Sequence, residues 1–135
     1  MTTHARGPFE VEIKPQPGYV TDANAAVGRM SLDKQFHGDL EATSKGEMLA
    51  VGTGSEGSSG GYVAMEQVSG ILNGRTGTFA LQHSATMNRG EPQLSITVVP
   101  DSGTGQLLGL SGHMAILIED GKHSYDFEYT LAETA

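Results

Sequence analysis

The sequence predicts an all-β protein in which eight antiparallel strands form a closed barrel. Three observations predict it. Apolar and polar residues alternate with a period of two in one run after another, as in strands that are wet on one face. Asn-Gly at 73–74 and Asp-Gly at 120–121 each stand between two such runs, the signature of tight hairpins. The chain holds 19 glycines in 135 residues and no long stretch of helical periodicity, which suits many short strands joined by turns.

The elements follow in order. Residues 1–8 read as a flexible tail and 9–132 as a single barrel domain, large enough for one core without covalent staples. "FEVEIKP" (9–15) sets Phe9, Val11 and Ile13 against Glu10, Glu12 and Lys14. "QPGYVTDANAAVG" (16–28) is loop, with room for one helical turn capped by Thr21 or Asp22. "GRMSLDKQFHGDL" (28–40) puts Met30, Leu32, Lys34 and Phe36 on one face and turns at His-Gly-Asp. Lys34, a charge on an apolar face, is expected to run its stem out to the rim. "GEMLAVGTG" (46–54) is a strand and "TGSEGSSGG" (53–61) a loop; strands follow at 62–72, 75–87, 92–99, 106–119 and 122–131.

Two-residue turns set register, and register decides which side chains share a face. With Leu72 opposite Arg75, Val68 faces Phe79, Glu66 faces Leu81 and Ala64 faces His83. Tyr62, Glu66, His83 and Ala85 then point inward with the apolar residues, provided no bulge forms near Gly77. With Glu119 opposite Lys122, Ile118 faces His123, Ile116 faces Tyr125, Met114 faces Phe127 and Gly112 faces Tyr129 on the dry side. His113 and Glu128 are opposed on the wet side, as a cross-strand ion pair or an oligomer contact. Closure of eight such strands removes exposed sheet edges. A two-sheet sandwich requires the same alternation and stays open as an alternative at this point.

Composition excludes several chemistries. There is no Cys, hence no disulfide, thiolate metal site or Cys nucleophile. A net charge of −8 argues against nucleic acid and anionic membrane surfaces as partners. No apolar run approaches the roughly 20 residues of a membrane-spanning helix. The N-terminal residues lack a signal-peptide core, so a cytoplasmic location is expected. The five histidines are scattered without zinc-like spacing, and neither a metal nor another cofactor is expected.

"VVPDSGTGQLLGLSGH" (98–113) raises the question of phosphate binding. It has no Lys after a Gly, its glycines miss the dinucleotide spacing, and a strand rather than a helix follows. A turn-rich connection is the reading, with Pro100 ending one strand and the glycines taking positive φ. "PDSGTGQLLGLSG" resembles the glycine-rich segment of allene-oxide-cyclase-like and dirigent-like barrels. "LDKQFHGDLEATSKGEML", "GYVAMEQVSGILNGRTGTFALQHSATM" and "DGKHSYDFEYTL" extend the resemblance, over roughly residues 8–132, to a bacterial domain-of-unknown-function family with that barrel. The resemblance implies an eight-stranded antiparallel barrel, allene-oxide-cyclase-like or calycin-like, that associates as a small homo-oligomer. It implies no reaction.

The inward faces suggest where chemistry would sit. Glu66 and His83 are diagonal cross-strand neighbours, and a buried carboxylate beside an imidazole can serve as a general base. Tyr125 and Tyr129 can donate hydrogen bonds to a ligand oxygen. Met30, Phe36, Phe79, Leu81, Met114, Ile116 and Phe127 are the expected cavity walls. The plainer expectation is that Glu66 merely accepts hydrogen bonds and locks the core. The functional expectation is a barrel that binds a small apolar molecule, with isomerase-type acid–base chemistry as its reactive variant. The alternative is a structural or interaction protein that uses outward apolar residues such as Val63, Met65, Ala80 and Leu117.

Overall fold

Both hairpins take the register their turns dictate. Leu72 lies opposite Arg75, Ala64 opposite His83, Glu119 opposite Lys122 and Gly112 opposite Tyr129. Asn73, Gly74, Asp120 and Gly121 all have positive φ, from 46° to 84°, which matches the right-handed twist of the flanking strands. The computed structural model describes residues 2–20, 27–53 and 59–131. Among them, β1 (Thr3–Gln16), β2 (Gly28–Phe36), β3 (Leu40–Thr53), β4 (Ser59–Leu72), β5 (Arg75–Asn88), β6 (Glu91–Val98), β7 (Leu110–Glu119) and β8 (Lys122–Leu131) follow one another round a closed antiparallel barrel. Closure by β1 on β8 decides for the barrel over the sandwich.

Several boundaries differ from expectation, and small inward residues explain most of the differences. Residues 3–8 are not a tail: Thr3 to Phe9 pair with β8 from Tyr129 to His123. Their inward positions are Ala5 and Gly7, too small to give an apolar alternation. β3 starts at Leu40 rather than 46, because its inward Ala42, Ser44 and Gly46 hide the strand in the same way. No bulge forms at Gly77, which pairs directly with Gly70. The expected helical turn at Thr21 or Asp22 and the middle of the 53–61 loop lie outside the described residues.

The glycine-rich stretch completes the barrel wall and plugs one end. β6 pairs with β5 only from Leu81 onward, which leaves the first half of β5 without a neighbouring strand on the side away from β4. The chain after β6 supplies the missing partners. The Ala80, Thr78 and Thr76 amides donate to Ser102 Oγ (3.0 Å), Thr104 Oγ1 (3.1 Å) and Gln106 Oε1 (2.8 Å). The Val99 and Thr104 amides donate to the Ala80 and Thr78 carbonyls. A 3₁₀ turn at Gly105–Leu107 then drives Leu107 into the core, so β7 begins at Leu110 rather than 106. Gly77 makes the close approach possible, since a Cβ there would lie 2.1 Å from the Thr104 carbonyl oxygen. The hydroxyls that looked suited to phosphate are used on backbone amides.

The two ends of the lumen are built differently. At the end that carries the β2–β3 and β4–β5 turns, Phe36, Leu40, Leu72, Phe79 and Phe127 are at most 1% exposed. Phe127 stacks between Phe79 (5.7 Å between centroids) and Tyr129 (5.3 Å). At the end that carries the β5–β6 and β7–β8 turns, the lumen-facing apolar residues stay wet: Ile13 is 50% exposed, Met87 41%, Leu94 43% and Ile118 64%.

Candidate functional site

A polar cluster sits inside the barrel where the packed end gives way to the open one. Glu66 on β4 is 2% exposed and flanked by strands on both sides. Its Oε1 accepts from Lys34 Nζ at 2.9 Å and from His83 Nε2 at 2.5 Å; its Oε2 accepts from Ser44 Oγ at 2.5 Å. A carboxylate only accepts, so the proton of that His83 bond resides on Nε2. Gly46 lies opposite Glu66, and a Cβ there would come within 2.7 Å of the Glu66 Cβ. The Lys34 ammonium also lies over the rings of Phe9 (5.4 Å) and Phe36 (5.8 Å).

Burial alone would push the Glu66 carboxyl upward. The His83 hydrogen bond, the Lys34 charge and the Ser44 hydrogen bond together outweigh it and bring the pKa down to about 2. Glu66 is therefore ionised at neutral pH with both oxygens occupied. Such a group is a weak base, and the cluster is internally satisfied.

Above the cluster the lumen opens into a cup of about 450 Å³ whose wall includes Ala50, Gly60, Tyr62, Ala85, Leu94 and Ile118. The volume exists because these strands place glycine and alanine where the other end places phenylalanine. Tyr62 stands between Ala50 on β3 and Ala85 on β5. Burial, reinforced by the Glu66 charge, raises its phenol pKa, so the hydroxyl stays protonated. Next to the cup the wall itself is thin. β6 and β7 are joined at one residue pair, Thr97 with His113, and a second cavity of about 530 Å³ lies along this seam, lined in part by Leu94, Ile96, Met114 and Ile116.

The residues singled out in the sequence separate into two groups. Glu66 and His83 are brought together. Tyr125 and Tyr129 are not part of that contact. Tyr125 Oη accepts from the Leu40 amide at 2.9 Å and donates to the His37 carbonyl at 2.7 Å, which latches the β2–β3 turn. Tyr129 Oη accepts from Asn73 Nδ2 at 2.6 Å and latches the β4–β5 turn. Phe36, Phe79, Leu81, Met114 and Phe127 belong to the packed core, with Ile116 against it. Phe36, Phe79, Leu81 and Phe127 fill the lumen instead of bounding a space, and none of these, nor Met114, Ile116 or half-buried Met30, lines the cup. Met114 and Ile116 line the seam.

Lys34 and Ser44 are the residues that sequence reasoning missed. Lys34 does not reach the rim; it is 8% exposed and turned inward to Glu66. The inward parity of Lys34 was visible in "GRMSLDKQF", and an inward acid elsewhere was the signal for its partner. Outside the barrel, His113 and Glu128 pair at 2.9 Å, and Asp126 takes His4 (2.8 Å) and Arg6 (3.2 Å). Those two bonds, led by the one from His4, hold the Asp126 carboxyl below its usual range. Among the described residues no set of three or more His, Asp or Glu is arranged to hold a metal ion, and no helix is long and apolar enough to cross a membrane.

Comparison with known proteins agrees with this architecture. No curated protein matches the chain. A crystal structure of a protein of unknown function from the DUF3224 family of Shewanella oneidensis MR-1 is similar, with 46% identity and a TM-score of 0.93 over 99% of this chain and 100% of the other. The model of the family described as "Protein of unknown function (DUF3224)" matches residues 5–129. Spanning nearly the whole barrel with that match, the chain belongs to the DUF3224 family.

Proposed function

We propose that this barrel is a carrier for small apolar molecules, which it takes into the cup at its open end. One observation carries the reading: side chains that face the lumen and are apolar, Met87, Leu94 and Ile118 among them, remain 41–64% exposed. Folding ordinarily removes such surface from water, and a contiguous apolar lining left wet is characteristic of a binding site. The cup volume of about 450 Å³ falls in the range of roughly 300–1,000 Å³ usual for small-molecule sites.

The Lys34–Glu66–His83–Ser44 cluster supports carriage better than proton abstraction. A carboxylate held at about 2 has little affinity for a proton at neutral pH, and its lone pairs are committed to three donors. Its role in this reading is to hold the lumen open above the aromatic core with satisfied polar groups rather than more carbon.

Titration with diphenylhexatriene, a hydrocarbon fluorophore dark in water, tests the proposal. Fluorescence should rise saturably with the native protein. Ala85→Phe, which fills the cup, should abolish the rise, whereas Val63→Phe on the outer face should not. Equal binding by all three proteins would rule out the cup.

A second reading rests on the outer face of β3 and β4, where Leu49, Val51, Val63 and Met65 are 38–53% exposed and Leu49 lies directly opposite Val63. A face of this kind suits self-association into a homo-oligomer. Sedimentation velocity decides it: a species larger than the monomer that Val63→Asp disperses would support it, and a strict monomer would not.

A further inference from the structure

We propose, building on the carrier reading, that the ligand is an uncharged, elongated apolar molecule with one hydrogen-bonding oxygen, bound with that oxygen on Tyr62 and its tail leaving through the β6–β7 seam. The cup and the seam adjoin each other at Leu94. Leu94 lines both, and Ile118 and Ile116, successive lumen-facing positions of β7, line one each. Towards the open end from the Thr97–His113 pair, β6 and β7 share no further backbone pairing, while β6 is paired to β5 along its whole length. The wall therefore parts here, beside the cup.

The lining states the chemistry. Among the described residues no Lys, Arg, Asp or Glu lines either cavity, and the one histidine, His113, lies on the outer face, engaged by Glu128 at 2.9 Å. A carboxylate buried here would lose its hydration without gaining a counter-charge, and an ammonium group would find the Glu66 charge already matched by Lys34. Tyr62 is the lumen-facing residue of the cup with a polar tip; Thr86 and Gln93 alternate outward and are exposed. Alanines on both sides leave room beside the half-buried Tyr62 ring, and the nearby Glu66 charge opposes an anionic head at this hydroxyl. A protonated phenol in a carbon-walled cup selects a hydroxyl, ester or ketone oxygen.

Displacement of diphenylhexatriene by a matched series separates these claims. Dodecanol and methyl dodecanoate should compete at least roughly tenfold better than dodecanoate at neutral pH. Tyr62→Phe should weaken dodecanol by roughly two- to tenfold, the span of one net hydrogen bond, and leave dodecane unchanged. Ala115→Trp, a substitution at an exposed seam position, should weaken dodecanol and spare hexanol. Equal competition by dodecanoate would overturn the uncharged head, and equal effects of Tyr62→Phe on dodecane and dodecanol would remove the Tyr62 contact. An unchanged dodecanol affinity in Ala115→Trp would overturn the lateral exit. If the native protein binds neither the fluorophore nor any of these competitors, the carrier reading itself fails.

Discussion

The two ends of this barrel use the same strands and the same inward parity, yet one is solid and the other hollow. On β5, Phe79 and Leu81 fill the lumen, whereas Ala85 two inward positions further on leaves it empty. On β4, Val68 and Leu72 are fully buried, whereas Gly60 and Tyr62 border the cup. The packed end is also latched: Tyr125 and Tyr129 hold two turns and Leu107 plugs the opening. Stability and binding are thus spatially divided. The aromatic end holds the fold together, so the open end can leave apolar surface in water.

This division predicts unequal responses to substitution. The largest effect is expected at the packed end, where Phe127→Ala should cost about 3–5 kcal/mol in urea unfolding, because its stacked neighbours cannot close the cavity. At the boundary, Glu66→Gln leaves the Lys34 ammonium buried without its counter-charge, and a loss of similar size, about 3–5 kcal/mol, is expected. A loss below about 1 kcal/mol would show that water reaches the cluster and the boundary is not sealed.

Acid provides the same test without mutation. The Glu66 pKa is lower in the folded chain (about 2) than its ordinary value of 4.5, so its contribution is complete above about 4.5 and fades as pH falls through about 2. At roughly 1.4 kcal/mol per unit this amounts to about 3 kcal/mol. Thermal unfolding of Glu66→Gln should therefore vary less between pH 5 and 2 than that of the native protein.

Smaller effects sharpen the contrast. Tyr125→Phe strands the buried Leu40 amide and should cost about 1–3 kcal/mol. Leu94→Ala at the open end should cost less than about 1 kcal/mol, since the side chain is already 43% exposed, while weakening fluorophore binding. A destabilisation by Leu94→Ala as large as that by Phe127→Ala would mean that the ends do not differ in kind.

Legibility in the sequence followed the length scale of the interaction. The Asn-Gly and Asp-Gly pairs are local, and the first of them is enough to place Glu66 and His83 on one face across a hairpin. Lys34 was out of reach because no two-residue turn connects β2 to β4; its contact with Glu66 passes over β3 and depends on the curvature of the closed wall. Tyr125 and Tyr129 looked like lumen donors because parity says only that they point inward. Which turns their hydroxyls reach is set by barrel depth.

The sequence by itself determined that the chain is built of β-strands, the register of two hairpins and the inward side of the strands that alternate clearly, since alternation and turn chemistry act between near neighbours. Only the tertiary structure decided that eight strands close, that the segment after β6 patches the wall and plugs one end, and that the other end stays hollow. Those outcomes depend on how side chains from distant strands fill a shared volume. Volume is a property of the assembled barrel, where Ala50 and Ala85 leave space that no single strand reveals.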